Sequence, residues 1–375
     1  MNCTNLTRLL SIFFGIMFGL ALQTSAQFKL KKKTDDETTG INYSLLLNQA
    51  EDDFEKGNLS RIPGNVQKGF VKNGFSKEEI IRAHRLLTMV HIFSDNEPAA
   101  EAEMIQLLKS DPEHPINPLT DPAEFQYLYQ KFRTKPIFRI AFNFGLNQSR
   151  VNTMDLFATT NTNDSDETFT PQIGLQYGVS IEREFGFKGL EASFGVLYSG
   201  KKYGLEDDII DGATATDNPF STMKQTDAAV YLDVPLLLRY NVNLSGSKFV
   251  PFIYGGAEAN LLLSATRKEA ERSGAQSISV AVQDLKATEE RNKQSYSFVG
   301  GVGFKYKLKT HFFKFEAKYA KGQTNLVNPE NRYTNTTTVF RLAHVDNNQS
   351  IDLIAVNFGY VLSIYNPKKL KRFRN

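Results

Sequence analysis

The C-terminal stretch from Ile351 to Tyr365 alternates between two kinds of side chain. Every second residue from Ile354 to Ile364 is large and apolar, whereas most residues between them are small or polar, including Asn357, Gly359 and Ser363. Alternation with period two is typical of a β-strand with one apolar face. Globular strands are usually about 5 to 6 residues long, and tilted membrane strands about 9 to 11. The length of this run predicts the closing strand of a membrane β-barrel.

Earlier segments repeat the pattern and bring the predicted strands to eight. They cover 137–147, 171–184, 190–203, 231–241, 249–265, 296–306 and 311–321. The connections alternate between short (185–188, 242–247, 308–310) and long (148–170, 204–225, 266–293, 323–350). Short turns at one end and long loops at the other are typical of outer-membrane barrels. We therefore predict an α+β fold, with an eight-stranded antiparallel up-and-down transmembrane β-barrel over residues 137–365.

A soluble barrel of the lipocalin type is the alternative, since it also alternates, with its apolar face inward. The strand lengths, the four long loops and the glycine, serine, asparagine and charged residues on the second face favour the membrane barrel. Within the long loop 266–293, the alternation of Ile278, Val280 and Val282 predicts either a ligand-binding extension or a strand pair that continues beyond the membrane.

The N-terminal end has the pattern of a secretory signal. Arg8 precedes an apolar core over 9–22, and the small residues Thr24, Ser25 and Ala26 follow. We predict a signal peptide over 1–26, with a retained anchor as the alternative. A charged, flexible leader follows over 27–40. The single cysteine, Cys3, precedes the apolar core, so the mature chain would contain no disulfide and no cysteine metal site.

Helical periodicity marks residues 41–110. Apolar residues recur three or four positions apart in 43–56, 76–93 and 97–109; Ser76 and Glu79 form a capping box, and Gly57 ends the first helix. The spacing of Ala50, Phe54 and Gly57 resembles a degenerate tetratricopeptide unit. We predict a small periplasmic domain that either docks an envelope protein or covers the barrel mouth.

Two shorter segments flank the barrel. Residues 111–136 form a proline-rich connector with a short helix, which we expect to be stiff and extended. Residues 366–375 form a basic tail, exposed to solvent or in contact with anionic phospholipid. An even number of strands returns both barrel ends to one side, so we predict that these ends and the helical domain are periplasmic.

Several motifs resemble the PorT-like family of outer-membrane β-barrel proteins. They are Y-L-D-V-P-L-L-L-R-Y at 231–240, P-F-I-Y-G-G-A at 251–257, G-G-V-G at 300–303 and the closing Gly359-Tyr360. The resemblance covers the C-terminal two thirds. It implies an outer-membrane barrel from a family mostly without assigned role, of which some members are linked to secretion or gliding machinery.

The chain contains no recognisable catalytic motif. A net charge of +3 from 44 basic and 41 acidic residues gives no field that would favour nucleic acid. There is no nucleophile motif, phosphate loop or metal-ligand spacing, and His84, His91 and His114 lack a third ligand nearby. We therefore predict no enzyme activity, cofactor or metal, and outer-membrane lipid and an envelope protein as partners.

Charged residues on the second face are the candidate site. They form either a polar conduit or acid–base site, or a network of ion pairs that fills a lumen only wide enough for side chains. We favour the filled lumen and a structural or interaction role; a small-solute channel or an outer-membrane enzyme is the alternative. The predicted network comprises Arg139, Glu182, Glu191, Asp233, Arg239, Glu258, Lys314, Glu316 and Lys318.

Overall fold

The computed structural model of the chain describes residues 42–158, 165–185, 189–210, 220–242, 246–273 and 279–370. The predicted signal peptide, the leader and the last five residues of the basic tail lie outside the described residues. The chain divides into two compact units, Met1–Ser110 and Asp111–Asn375. The first is helical and the second contains the β-sheet.

The described part of the helical unit, residues 42–110, contains four α-helices and a short 3₁₀ turn. The helices are α1 (Tyr43–Glu55), α2 (Ile62–Val71), α3 (Lys77–Phe93) and α4 (Glu97–Ser110), and the turn is Leu59–Arg61. The predicted capping box is present: Ser76 accepts from the Glu79 amide, and the Glu79 carboxylate accepts from the Ser76 amide. Gly57 has a φ of 80°, which suits a residue that follows a helix end.

Helix α2 was not predicted from the sequence. It contains two glycines, which weaken intrinsic helix propensity. One of them, Gly69, lies directly beneath the ring of Phe75, and a Cβ at this position would collide with that ring. Tertiary packing therefore explains both the glycine and the helix that propensity missed. None of the helices in the described part of the chain is both long and apolar enough to cross a membrane.

Among its described residues, the second unit has eight long antiparallel strands and two short ones. The strands are β1 (Phe138–Asp155), β2 (Ser165–Glu184), β3 (Leu190–Ile210), β4 (Phe220–Asn241), β5 (Phe249–Ser273), β6 (Ser279–Val282), β7 (Leu285–Lys286), β8 (Gln294–Leu308), β9 (His311–Gly322) and β10 (Asn348–Ile364). A short helix, α5 (Ala123–Gln130), precedes them.

The long strands close into a ring. Each pairs with its neighbour in the order β1, β2, β3, β4, β5, β8, β9, β10, and β10 returns to β1. The closing pair runs in register from Phe138 opposite Ile364 to Val151 opposite Ile351. The predicted closing strand and the predicted antiparallel barrel are confirmed. Closure leaves none of the eight strands with an unpaired edge.

The two ends of the barrel differ. The terminal end carries the start of β1 and the end of β10, together with the short turns. The loop end carries the other connections. Outward side chains between the two ends are large, apolar and exposed; Leu236, Ile253 and Phe298 are 62%, 59% and 64% exposed. Lipid is the solvent that suits such a surface.

The strands are longer than the alternation predicted. Strand β3 continues to Ile210 and β4 begins at Phe220, so much of the predicted long loop 204–225 is strand, and β2 likewise takes in the end of 148–170. In loop 266–293, β6 pairs with the far end of β5, as the strand-pair alternative predicted. These extensions carry polar residues on both faces and therefore lack the alternation that a lipid surface imposes.

A β-bulge reverses the inward face of β5. Val230 of β4 is opposite Ser264, but the next residue, Tyr231, is opposite Leu262, so Leu263 has no partner. Glu258 and Asn260 are buried on one side of the bulge, and Ala265 and Arg267 on the other. The inward set therefore changes from even to odd residue numbers, as an inserted residue requires.

The proline-rich segment packs on the terminal end of the barrel and is not an extended spacer. The carboxylate of Glu113 accepts a hydrogen bond from the Tyr365 hydroxyl (2.6 Å) and pairs with Lys307 Nζ (2.6 Å). Phe132 forms a β-bridge with Lys369. These contacts hold the segment and the beginning of the basic tail against the end of β10.

The longest connection folds inward at the loop end. Leu342, from the segment 323–347 between β9 and β10, is fully buried against Leu205, Met223 and Ala270. Val327 of the same segment bridges Arg291, which precedes β8. Segment 323–347 therefore covers and partly fills the loop end of the barrel.

Candidate functional site

A cluster of ion pairs occupies the lumen nearest the terminal end. Arg239 Nη1 lies 2.8 Å from Glu182 Oε1 and 2.6 Å from Glu191 Oε1. Lys305 Nζ lies 2.8 Å from an oxygen of each of these glutamates. The remaining members contact the same groups. We call this the terminal-end cluster; its members are Arg139, Glu182, Glu184, Glu191, Arg239, Lys305, Lys314 and Glu316.

The terminal-end cluster is balanced in charge. It contains four carboxylates and four cations, and Arg239 also lies 4.6 Å above the Phe252 ring. Both Glu182 and Glu191 are fully buried. Buried charges are tolerated when each has a partner and further hydrogen bonds, and several members here contact two partners. The cluster is therefore a plug of mutually neutralised charges.

A smaller cluster lies further along the lumen. Lys318 Nζ is 2.5 Å from Glu258 Oε2, and Lys201 Nζ is 3.3 Å from Asp233 Oδ1. Asn260 donates from Nδ2 to both carboxylates. We call these five residues the middle cluster, and it is also balanced. A cavity of about 10 Å³ beside Lys201 and Asn260 has room for about one water molecule.

Amide and hydroxyl side chains line the lumen between these two clusters. Asn143 Nδ2 donates to Ser180 Oγ (3.1 Å), Gln176 Nε2 donates to Asn357 Oδ1 (2.5 Å), and Asn357 Nδ2 donates to Glu316 Oε1 (3.1 Å). The lumen is thus hydrogen-bonded from one charged layer to the next.

A third cluster lies at the loop end, where segment 323–347 meets the strand extensions. Arg267 is fully buried and binds Glu290 Oε2 at 2.6 Å, Asp227 at 3.8 Å and, at short range, Asp346. Arg291 lies between Asp227 and Asp346, at 3.6 and 3.5 Å. We call this the loop-end cluster; its members are Glu167, Asp207, Asp227, Arg267, Glu290, Arg291, Arg332, His344 and Asp346.

His344 lies between two aspartates in the loop-end cluster. Its Nδ1 is 3.5 Å from Asp207 Oδ2 and its Nε2 is 3.4 Å from Asp346 Oδ1. Burial alone would lower the pKa of His344, but the two aspartates outweigh it and raise that pKa to about 9. Burial alone would raise the pKa of the Asp346 carboxyl. The charges of Arg267 and Arg291 outweigh burial and hold that pKa well below its usual range.

The nine residues predicted from sequence all lie inside the barrel, in two of the three clusters. Asp233, Glu258 and Lys318 belong to the middle cluster, and the other six belong to the terminal-end cluster. All are buried except Arg139, which is partly buried. Opposite charges are paired throughout, as expected for a filled lumen.

The alternation could have identified two further members. Lys201 is in phase with Ser199 on β3, and Lys305 is in phase with Gly303 on β8, so both belong to the inward face. The same parity places Asp207 on β3 and Asp227 on β4 inward, but the other members of the loop-end cluster had no such signal, because they come from the start of β2, from β5 beyond its bulge and from connections. Two other histidines are accounted for locally: His84 Nδ1 is 2.7 Å from Glu103, and His114 Nδ1 is 3.1 Å from Asp111.

Comparison with solved structures finds barrels that cover most of their own chains but are distant in sequence. Neisserial surface protein A is 11% identical, covers 60% of this chain and 97% of its own, and has a TM-score of 0.28. Ail, the attachment invasion locus protein of Yersinia pestis, is 12% identical, with coverage of 60% and 99% and a TM-score of 0.23. The outer membrane protease OmpT from Escherichia coli is 9% identical, with coverage of 60% and 96% and a TM-score of 0.33.

No curated protein matches the sequence. The family described as an outer membrane protein β-barrel domain matches residues 129–328, which is more than half of the chain. The match begins in α5, ahead of β1, and ends beyond β9. The closed ring, its apolar outer surface and this match agree: the chain belongs to the outer membrane protein β-barrel domain family and is an outer-membrane protein.

Proposed function

We propose that this protein is a closed, non-catalytic barrel with a structural or interaction role in the bacterial envelope, as an accessory component of a secretion or gliding machinery of the PorT-like kind. The observation that carries the proposal is the filled lumen. Charged side chains occupy it in three successive clusters, and segment 323–347 covers the loop end.

The burial of the clusters favours this role over a channel or an enzyme. Glu182, Glu191 and Arg239 are 0%, 0% and 1% exposed, so neither a solute nor a substrate reaches them. Transport would require breaking several buried ion pairs at once, which costs several kcal/mol for each unpaired charge. The protein is then expected to act through its outer surface and its ends.

The first prediction concerns conductance. In a planar lipid bilayer the purified full-length protein should show no steady conductance, because the side chains of the terminal-end and middle clusters are buried and paired inside the lumen. Replacing Arg239, Lys305 and Lys318 together with alanine should open intermittent small conductances by removing the long side chains that fill the lumen. The matched control replaces three exposed lysines, Lys135, Lys202 and Lys248, with alanine.

Large, steady conductance of the unmodified protein would contradict the closed barrel. Hydrolysis of phospholipid or peptide by the purified protein, abolished by Glu191→Gln, would contradict the non-catalytic role.

We place the terminal end of the barrel and the helical unit in the periplasm, where the helical unit docks an envelope partner or covers the barrel mouth. Short turns characterise the periplasmic end of such barrels. The start of β1 and the end of β10 both lie at the short-turn end here. The helices would then present a surface of tetratricopeptide-like pairs to a partner, while the barrel is held in outer-membrane lipid.

The second prediction tests this orientation by cysteine labelling in intact cells. In a Cys3→Ser background, Asn58→Cys in the helical unit should resist a membrane-impermeant maleimide until the outer membrane is permeabilised. Thr336→Cys, an exposed position in segment 323–347, should react without permeabilisation. Labelling of Asn58→Cys in intact cells, with Thr336→Cys protected, would invert the proposed topology.

A further inference from the structure

Three potential metal ligands converge at the loop end from separate parts of the chain. Glu167 comes from β2, Asp207 from β3 and His344 from segment 323–347. One ligand atom from each lies within 4.8 Å of the others, and no second group of this kind occurs among the residues that the structure describes. Two carboxylates and an imidazole are a donor set that suits Zn²⁺.

The distance between His344 and Asp207 fits a shared cation better than a direct hydrogen bond. The 3.5 Å between Nδ1 and Asp207 Oδ2 exceeds the usual range of about 2.7 to 3.2 Å for an N–H···O bond. Ligand atoms about 2.0 to 2.2 Å from a tetrahedral zinc lie about 3.3 to 3.6 Å apart. Asp207 and His344 therefore already have the separation of two ligands to one ion.

The second ring nitrogen faces a carboxylate. Nε2 is buried, lies 3.4 Å from Asp346 Oδ1 and forms no hydrogen bond. Histidines that bind a metal commonly direct the other ring nitrogen at a carboxylate, which orients the ring. Asp346 is itself fixed by Arg267 and Arg291, so it is a rigid orienting group.

The charge balance of the loop-end cluster is a separate observation. The terminal-end and middle clusters pair equal numbers of carboxylates and cations. The loop-end cluster has five carboxylates (Glu167, Asp207, Asp227, Glu290, Asp346) and three guanidinium groups (Arg267, Arg291, Arg332), so carboxylates are in excess whether His344 is neutral or protonated. A bound cation would offset this excess of negative charge.

We propose that Glu167, Asp207 and His344 bind one Zn²⁺ ion at the loop end, with Asp346 as the orienting partner of His344. The ion joins segment 323–347 to β2 and β3. This site is additional to the proposed function and is independent of it, because it concerns how the loop end is fastened.

The third prediction tests the site with Zn²⁺ itself. The full-length protein, purified in detergent without a histidine tag, is titrated with Zn²⁺ against a chromogenic chelator. We expect one ion per chain, and visible absorption bands typical of tetrahedral coordination when Co²⁺ replaces Zn²⁺. His344→Gln should remove these bands, and Glu167→Gln should lower Zn²⁺ affinity at least about tenfold. The matched control is His114→Gln, which alters a histidine beside a single carboxylate and should bind as wild type.

Folding is monitored separately by heat-modifiable migration on gels. Glu167 is only partly buried at the start of β2, so Glu167→Gln retains a folded barrel even if His344→Gln does not. Absence of stoichiometric Zn²⁺ binding by folded wild-type protein would overturn the proposal, as would equal affinity of wild type and Glu167→Gln. Tighter binding of Ca²⁺ than of Zn²⁺ would overturn the assignment of the metal.

Discussion

Arg239→Met is expected to destabilise the barrel by about 3 to 5 kcal/mol, because it removes the cation that joins Glu182, Glu191 and Glu316 in a buried layer. Methionine keeps much of the side-chain volume, so the loss reports mainly uncompensated charge. Lys305 and Lys314 remain but cannot reproduce the paired contacts of the guanidinium group. Urea unfolding of the purified protein in phospholipid vesicles, followed by the gel shift of folded barrels, measures the difference in free energy of unfolding.

An exposed ion pair of similar length provides the control. Lys224 Nζ is 2.7 Å from Glu206 Oε1, but the two side chains are 62% and 47% exposed. Lys224→Met should leave the unfolding midpoint unchanged, since water replaces the lost partner. Adding Glu191→Gln to Arg239→Met should recover part of the stability by removing one of the stranded charges. Equal effects of Arg239→Met and Lys224→Met would show that the terminal-end cluster is hydrated.

Gly303→Val is expected to lower the yield of correctly closed barrel. Gly303 is opposite Phe252 of β5, whose ring covers it, and a Cβ at this position would lie 2.6 Å from Phe252 Cζ and overlap the Phe315 backbone carbonyl. The carbonyl belongs to β9 and cannot move without opening the β8–β9 ladder. Phe252 cannot move without displacing Arg239 from its ring. Overpacking of this kind costs about 1 to 3 kcal/mol and occasionally more.

Gly300→Val, on the same strand, is the matched control. A Cβ at Gly300 meets only the Tyr254 carbonyl, at 3.9 Å, and the neighbouring Phe298 and Val302 of the same parity are exposed to lipid. Valine suits a strand better than glycine does, so Gly300→Val should fold as wild type or slightly better. The yield of heat-modifiable barrel after refolding compares the two. Equal yields would show that the Phe252 ring leaves room for a side chain at position 303.

The barrel itself could be predicted from the sequence because lipid imposes a strict rule on one face of each strand. Residues such as Ile354, Val356 and Phe358 must be apolar where they contact the membrane, while the lumen accepts the polar residues between them. The same parity identified Arg239 and Lys318 as inward. Because an eight-stranded barrel has a lumen only wide enough for side chains, inward residues of opposite charge were expected to pair. The ring of eight strands and the filled interior near the terminal end follow from that alternation.

Most of the loop end could not be predicted in this way, because no lipid surface governs its pattern. The bulge at Leu263 reverses the parity of β5, so Arg267 is inward although the alternation of Glu258 and Asn260 would place it outward. Helix α2 depends on the fit of Gly69 beneath Phe75, which its propensity does not indicate. Asp207 and His344 lie far apart in sequence and meet only because the ring closes and segment 323–347 folds into its mouth. Such contacts between residues far apart in sequence arise only when the barrel closes, so a local pattern of residues cannot predict them.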